Sequence, residues 1–541
     1  LVAVIEALNL AEGLAEKLGA YAYTSHSVST TDSEPLKQLN RVQELAVPLS
    51  SILVDFRNAL AETGKDPAQL AASEPRLEPY RFFIQENLEE QRHQMSSAEE
   101  ALAADLDRSG GDAWSRLQAT IASTLTAVWS EESGEEKTVV QLRSLASDPE
   151  RAIRQKAYRL ELDAWKRMEI PIAASLNGVK GTSHTLNTRR GWGRTLDRSI
   201  VQNRITRPAL EAMISAMEDS LPMFRRYLQL KAQMLGLDTL SWYDILAPVS
   251  SSERKWSFPE ARDFILDQFA TFSEDLATAT RTAFDSAWID AEPRKGKVGG
   301  AYCIGFGAAE QTRVLANFDH SFDSLSTLAH ELGHAYHNWV LRGNDQLLTD
   351  YPMTLAETAS IFCETLVTNS ALSRMSPEEG LGVLEASLQG STQVIVDILS
   401  RFYFESELME RRADHELTPA ELSELMLDAQ ARTYGPAIRE DERHQYMWAV
   451  KSHYYRPGLA FYNFPYAFGL LFGLGLYSIY ESEGARFADR YRELLTLTGR
   501  ANAKDVVASV GFDIEAKDFW AGGLSVISRQ VEKLAEYRQG S

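Results

Sequence analysis

The run His330-Glu331-Leu332-Gly333-His334 places two imidazoles and a carboxylate at a spacing that does chemistry. On a helix, residues i and i+4 share a face, so both histidines reach one metal ion. The flanking residues carry a helical period. Leu325, Leu328, Leu332, Ala335 and Trp339 form an apolar stripe that leaves His330, His334 and His337 on another face. Glu331 lies one step round from His330, where its carboxylate reaches a metal-bound water without being a ligand. Two ligands and a base are a large part of what zinc-assisted hydrolysis requires.

A catalytic zinc takes a third protein ligand and keeps a fourth position open for water. Positions 337 and 340, where one large class of zinc peptidases places Gly and a third His, hold His337 and Val340. A carboxylate from a second helix is therefore expected. The segment 353–366, MTLAETASIFCETL, has Leu355, Ala359, Phe362 and Leu366 as its apolar stripe, with Glu357 and Glu364 sharing another face. Ala356, Ala359 and Ser360 are small enough to let this helix approach the first closely. We read one zinc per chain on His330, His334 and Glu357, with Glu364 as the carboxylate behind a ligand. Asp323, two turns before His330, reads either as a partner of a ligating imidazole or as a helix N-cap.

The elements that must position these residues are mostly helices. Helical periodicity runs over about 36–63 (with Pro48 a kink or split), 139–168 (with a break at Pro149 and Asp148 as cap), 207–235, 259–286, 377–408 and 419–432. The main strand candidates are 301–306 and 312–318, with Gly307-Ala308-Ala309 as their turn. The expected fold is mainly α, with one small β-sheet beside the zinc-binding helix. Two regions are expected, an N-terminal helical region over 1–196 and a catalytic region over 197–541.

Composition removes several classes. The 541 residues are 44% hydrophobic, 24% charged and 10% aromatic, an ordinary globular balance. With 55 Lys+Arg against 76 Asp+Glu, the net charge of −21 disfavours nucleic acid and anionic membranes as partners. Cys303 and Cys363 are too few for a disulfide framework or a Cys-rich zinc site, and they fit a reducing cytoplasm. The longest apolar run, 467–480, is short for a membrane span and is interrupted by Gly469, Gly473 and Gly475, so it reads as a buried helix. The first residues lack a basic stretch, so no signal peptide is expected.

The run from Lys297 to Cys303, the segment from Thr327 to His337 and the residues around Glu357 together resemble the oligoendopeptidase F branch of the thimet oligopeptidase family. So do Ile172–Asn177, Arg189–Trp192 and the Tyr-rich stretch from His453 to Tyr466; the resemblance spans about residues 140–520. It implies a two-lobed helical shell around a deep substrate channel, and a zinc endopeptidase acting on short unstructured peptides. It implies His330, His334 and Glu357 as ligands and Glu331 as base. It further implies that His453 and tyrosines opposite the metal stabilise the tetrahedral intermediate. Tyr466 is the best match; Asn463 stands where better-known members have a further Tyr, with Tyr462 beside it, so Tyr455, Tyr462 and Tyr466 all stay candidates. Two alternatives use the same residues differently. A carboxypeptidase or peptidyl-dipeptidase needs a cation for the substrate's terminal carboxylate, for which Arg456 is the obvious candidate. A catalytically silent peptide-binding protein is expected to have lost Glu331 or a ligand, and all are present.

Overall fold

The helical periods of the sequence become helices in the computed structural model, which describes residues 1–250 and 254–540. Labelled in chain order, the elements used below are α1 (Ser33–Glu62), β1 (Thr126–Ser130), β2 (Glu135–Thr138), α2 (Arg151–Arg189), β3 (Ile289–Asp290), β4 (Tyr302–Phe306), β5 (Gln311–Leu315), α3 (Phe322–Leu341), α4 (Thr358–Arg374), α5 (Ile398–Asp414) and α6 (Phe464–Glu483). The protein is mainly α, with two small sheets among the described residues. Pro48 does not split α1, which continues through it. The break at 148–150 is present, but Glu150 rather than Asp148 stands at the cap position of α2; the Asp148 carboxylate accepts from the Glu150 N–H at 2.8 Å. The expected helix over 259–286 is two helices that meet at Ser273.

The chain forms two compact units, each assembled from three stretches. The first comprises 1–94, 253–375 and 469–523; the second comprises 95–252, 376–468 and 524 onward. The boundary expected near 196 falls inside the second unit.

The first unit holds a three-stranded sheet in the order β3-β5-β4, with β3 parallel and β4 antiparallel to β5. Its strand candidates were legible, and the turn between them is a short 3-10 segment at Gly307–Ala309. The sheet packs on α3, and α3 packs most extensively on α4. Phe362 of α4 anchors the core there, its ring 4.6 Å from those of Phe272 and Tyr491, with no exposed surface. The apolar run 467–480 lies within α6. No helix of the described residues is long and apolar enough to cross a membrane.

The second unit is organised on α2, whose buried face includes Trp165, Leu176 and Val179. These join Phe404, Leu408, Trp448, Tyr454 and Tyr455 in one apolar cluster. The β1–β2 hairpin, which the sequence pattern did not suggest, belongs to this unit.

Candidate metal centre

Helix α3 starts where Ser321 caps it, its hydroxyl accepting from the Ser324 N–H at 3.0 Å. Asp323 is therefore not the cap; it sits in the first turn, where a carboxylate complements the helix dipole. Leu325, Leu328 and Leu332 are fully buried, fixing the rotation of α3. His330 and His334 are left about one-fifth exposed, with ring centroids 5.0 Å apart. His337 does not join them. It is buried, with Nε2 2.8 Å from the Thr498 hydroxyl and its ring stacked on Tyr351 at 4.2 Å.

The second contributor is not the unbroken helix that the periodicity of 353–366 suggests. The backbone makes a short helix over Met353–Ala356, breaks, and resumes as α4 at Thr358. Glu357 occupies the break at φ −86°, ψ 6°, in the bridge region of backbone space. Gly333 lets α3 and α4 meet closely, since a Cβ there would lie 2.5 Å from the Ala359 carbonyl oxygen. Gly469 of α6 backs the Glu357 side chain, because a Cβ at 469 would lie 2.8 Å from the Glu357 Cβ.

These contacts bring His330, His334 and Glu357 to one point. Glu357 Oε2 lies 3.2 Å from His330 Nε2 and 3.5 Å from His334 Nε2. Zinc–ligand bonds of about 2.0–2.1 Å in a tetrahedron put neighbouring donor atoms about 3.3 Å apart. The two nitrogens and the oxygen therefore fit a zinc ion, and they form the metal-competent group found among the described residues. Glu364 Oε2 lies 3.0 Å from His330 Nδ1, so it holds this imidazole from behind. Burial opposes charge on His330, yet its bonds to Glu357 and Glu364 prevail and raise its pKa well above the ordinary value. The same bonds, from His330 and His334, hold the Glu357 carboxyl far below its usual range against the opposing effect of burial.

Glu331 is buried, and its Oε2 has no hydrogen-bond partner. Burial raises its carboxyl above the ordinary value, with the two histidines working against that shift. A buried carboxylate beside His330 and His334 is suited to taking up a proton.

His453, Tyr462 and Tyr466 also come together, within the second unit. Their ring centroids lie 5.3 Å apart for His453–Tyr462, 5.9 Å for His453–Tyr466 and 5.7 Å for Tyr462–Tyr466. Burial, with help from Arg401, Arg456 and Lys451, pushes His453 down to about 4. Arg456 stacks over the Tyr462 ring at 5.0 Å. Tyr455 belongs to the core instead: it is buried and its hydroxyl donates to the Trp448 carbonyl at 3.1 Å.

Two features were missed at the level of sequence, though the spacing carried them. Ser360, one turn after Glu357, donates from its hydroxyl to Glu357 Oε2 at 2.6 Å. Gly469 and Gly473, four apart, form a face of α6 that accepts Glu357 and Ile361 at the start of α4.

A helical fold carrying an H-E-x-x-H helix, with a carboxylate from a neighbouring helix break brought beside it, is an arrangement suited to a metallopeptidase. Residues 144–525 match Peptidase family M3, and residues 63–126 match Oligopeptidase F. The chromosomal oligoendopeptidase F of Lactococcus lactis subsp. cremoris is 28% identical over 405 residues, covering 73% of this chain and 66% of that one. An oligoendopeptidase F homolog of Lactococcus lactis subsp. lactis is 25% identical, covering 96% of this chain and 88% of that one. The crystal structure of oligoendopeptidase-F from Enterococcus faecium shares the fold, with a TM-score of 0.75 and 20% identity over all of this chain and 94% of that one. The chain belongs to peptidase family M3. It is a metalloendopeptidase of a family whose members are zinc-dependent.

Proposed function

We propose that the protein is a zinc-dependent oligoendopeptidase that hydrolyses internal bonds of short, unstructured peptides. The observation that carries this reading is the convergence of His330 Nε2, His334 Nε2 and Glu357 Oε2 beside the unpartnered Glu331 Oε2. His330, His334 and Glu357 would hold one zinc per chain, which would supply Lewis acidity toward a water and the scissile carbonyl. Glu331 takes the proton from the attacking water and delivers it to the departing amide nitrogen. Glu364 keeps the His330 ring oriented through Nδ1. Tyr466 and His453, with Tyr462 beside them, are the proposed donors to the tetrahedral oxyanion, a role that rests on the family resemblance. His453, held low by burial, is neutral near pH 7 and donates as a neutral imidazole. β4 is an edge strand among the described strands, which suits a peptide adding as a further strand. We assign the place of work to the cytoplasm.

The test is a matched series of peptides from about 4 to 40 residues around one cleavage sequence, with kcat/KM and quenched products measured with and without chelator. Internal cleavage that is lost with chelator and falls for longer chains is expected. Rates that stay flat with length, or rapid digestion of a folded protein, overturn the oligopeptidase reading. Release of one or two residues from an end favours the exopeptidase alternative, with Arg456 as its carboxylate anchor.

A further inference from the structure

Glu357 supplies the oxygen on which both histidines converge, and it stands at the junction of two helices, where its carbonyl accepts from the Ile361 N–H at 3.1 Å while its side chain is held separately. Four residues fix its side chain. Gly469 closes one side, His330 and His334 face Oε2, and the Ser360 hydroxyl donates to that same Oε2 at 2.6 Å. Ser360 has no exposed surface, so water does not compete for this bond. The hydroxyl also lies 3.2 Å from the Glu357 carbonyl oxygen, so the bond follows the helix break itself. Ser360 cannot drift away, because Gly333 of α3 lies against it: a Cβ at 333 would be 2.6 Å from the Ser360 Cα.

We propose that Ser360 is a positioning residue for the metal centre, holding the ligating oxygen of Glu357 as Glu364 holds the imidazole of His330. The proposal rests on the reading of Glu357 as a ligand. A free carboxylate at a helix break samples several rotamers, and binding metal then requires one of them to be selected. A buried donor on the ligating oxygen makes that selection before metal arrives. It also withdraws negative charge from Oε2 slightly, a smaller effect than the orientational one. Removing a partner of this kind lowers metal affinity by about 10–100-fold.

The experiment measures zinc affinity of the full chain by competition with a chromophoric chelator, alongside the melting temperature of the metal-free protein. Ser360→Ala is expected to weaken zinc binding by about 10–100-fold while the metal-free protein still melts cooperatively. Ser360→Thr, which keeps the hydroxyl, is expected to recover most of the loss. In a Glu357→Gln background, Ser360→Ala is expected to change the residual affinity less than about twofold, because the oxygen it served is gone. Wild-type affinity in Ser360→Ala overturns the proposal, as does an equal loss in both backgrounds, which marks a packing effect. Wild-type zinc affinity in Glu357→Ala overturns the ligand reading itself, and is told apart by leaving Ser360 untouched.

Discussion

Gly333→Ala adds one methyl group at the place where α3 and α4 touch, and the structure sets the size of its effect. The new Cβ would lie 2.5 Å from the Ala359 carbonyl oxygen, 2.6 Å from the Ser360 Cα and 2.8 Å from the Ala359 carbonyl carbon. All three are backbone atoms, so no side chain rotates out of the way. Carbon contacts are comfortable at about 3.5–4.0 Å, so the helices must part by about 1 Å. That exceeds the tolerance of metal–ligand distances, about 0.2 Å. The metal-free protein relaxes by letting α4 move off, whereas binding zinc forces the helices back together. Overpacking of this kind costs about 1–3 kcal/mol. If most of it falls on the bound state, zinc binding weakens by about 5–150-fold, at 1.4 kcal/mol per factor of ten. Chelator competition on purified protein measures this directly. Gly390→Ala is the control: no atom lies within 4 Å of its Cβ position, and it sits inside the helix Pro377–Thr392. It should leave zinc binding unchanged and stabilise by up to about 1 kcal/mol. Zinc affinity of Gly333→Ala within twofold of wild type would refute the argument that helix spacing sets the site.

Glu331→Gln should retain zinc and lose about 10²–10⁴-fold in turnover, because the amide keeps the shape but takes no proton; zinc loss in step with activity loss counts against the assignment. Tyr466→Phe should lower kcat by about a hundredfold or more with little change in KM, and an unchanged kcat returns that hydroxyl to a structural role. Burial pushes His337 down to about 3, below the ordinary value near 6.5, so between those pH values the unfolded chain binds a proton that the folded protein refuses. Its contribution to stability is therefore complete above about pH 6.5 and is lost as pH falls toward 3. Melting temperature measured across that window should fall with acidity, and His337→Asn should flatten the slope.

The histidine pair was legible because i and i+4 on one helix is a local relation, and Leu325, Leu328 and Leu332 fixed its rotation. Glu357, the proposed third ligand, was legible as a residue and not as a conformation. The period of 353–366 is unbroken, while the break at Glu357 is imposed by α3 and α6 packing on it through Gly333 and Gly469. Asp323 and Ser321 are both good caps, and only the backbone geometry selects Ser321. The β1–β2 hairpin escaped because Glu135-Glu136 has poor strand propensity, and its turn is set by Gly134 at φ +67°. Tyr455 and Tyr466 are indistinguishable by type; the hydrogen bond of Tyr455 to Trp448 separates them only in three dimensions.

The interleaving of the two units has a consequence for biosynthesis. The chain leaves the first unit after residue 94, re-enters it at 253, leaves after 375 and comes back at 469. Its last stretch supplies Gly469 behind Glu357, the Tyr491 hydroxyl on the Thr358 carbonyl and Thr498 beneath His337. At a synthesis rate of about 5–20 residues per second, roughly 7–28 s pass between the making of Glu357 and that of Thr498. During that interval the histidines and Glu357 are attached to a ribosome without the wall that fixes them. The nascent chain thus carries an unfinished metal site whose apolar flanks, α3 and α4, are open to misassociation and to chaperones. If His330, His334 and Glu357 hold a metal, its capture is expected only after the stretch 469–523 has been made.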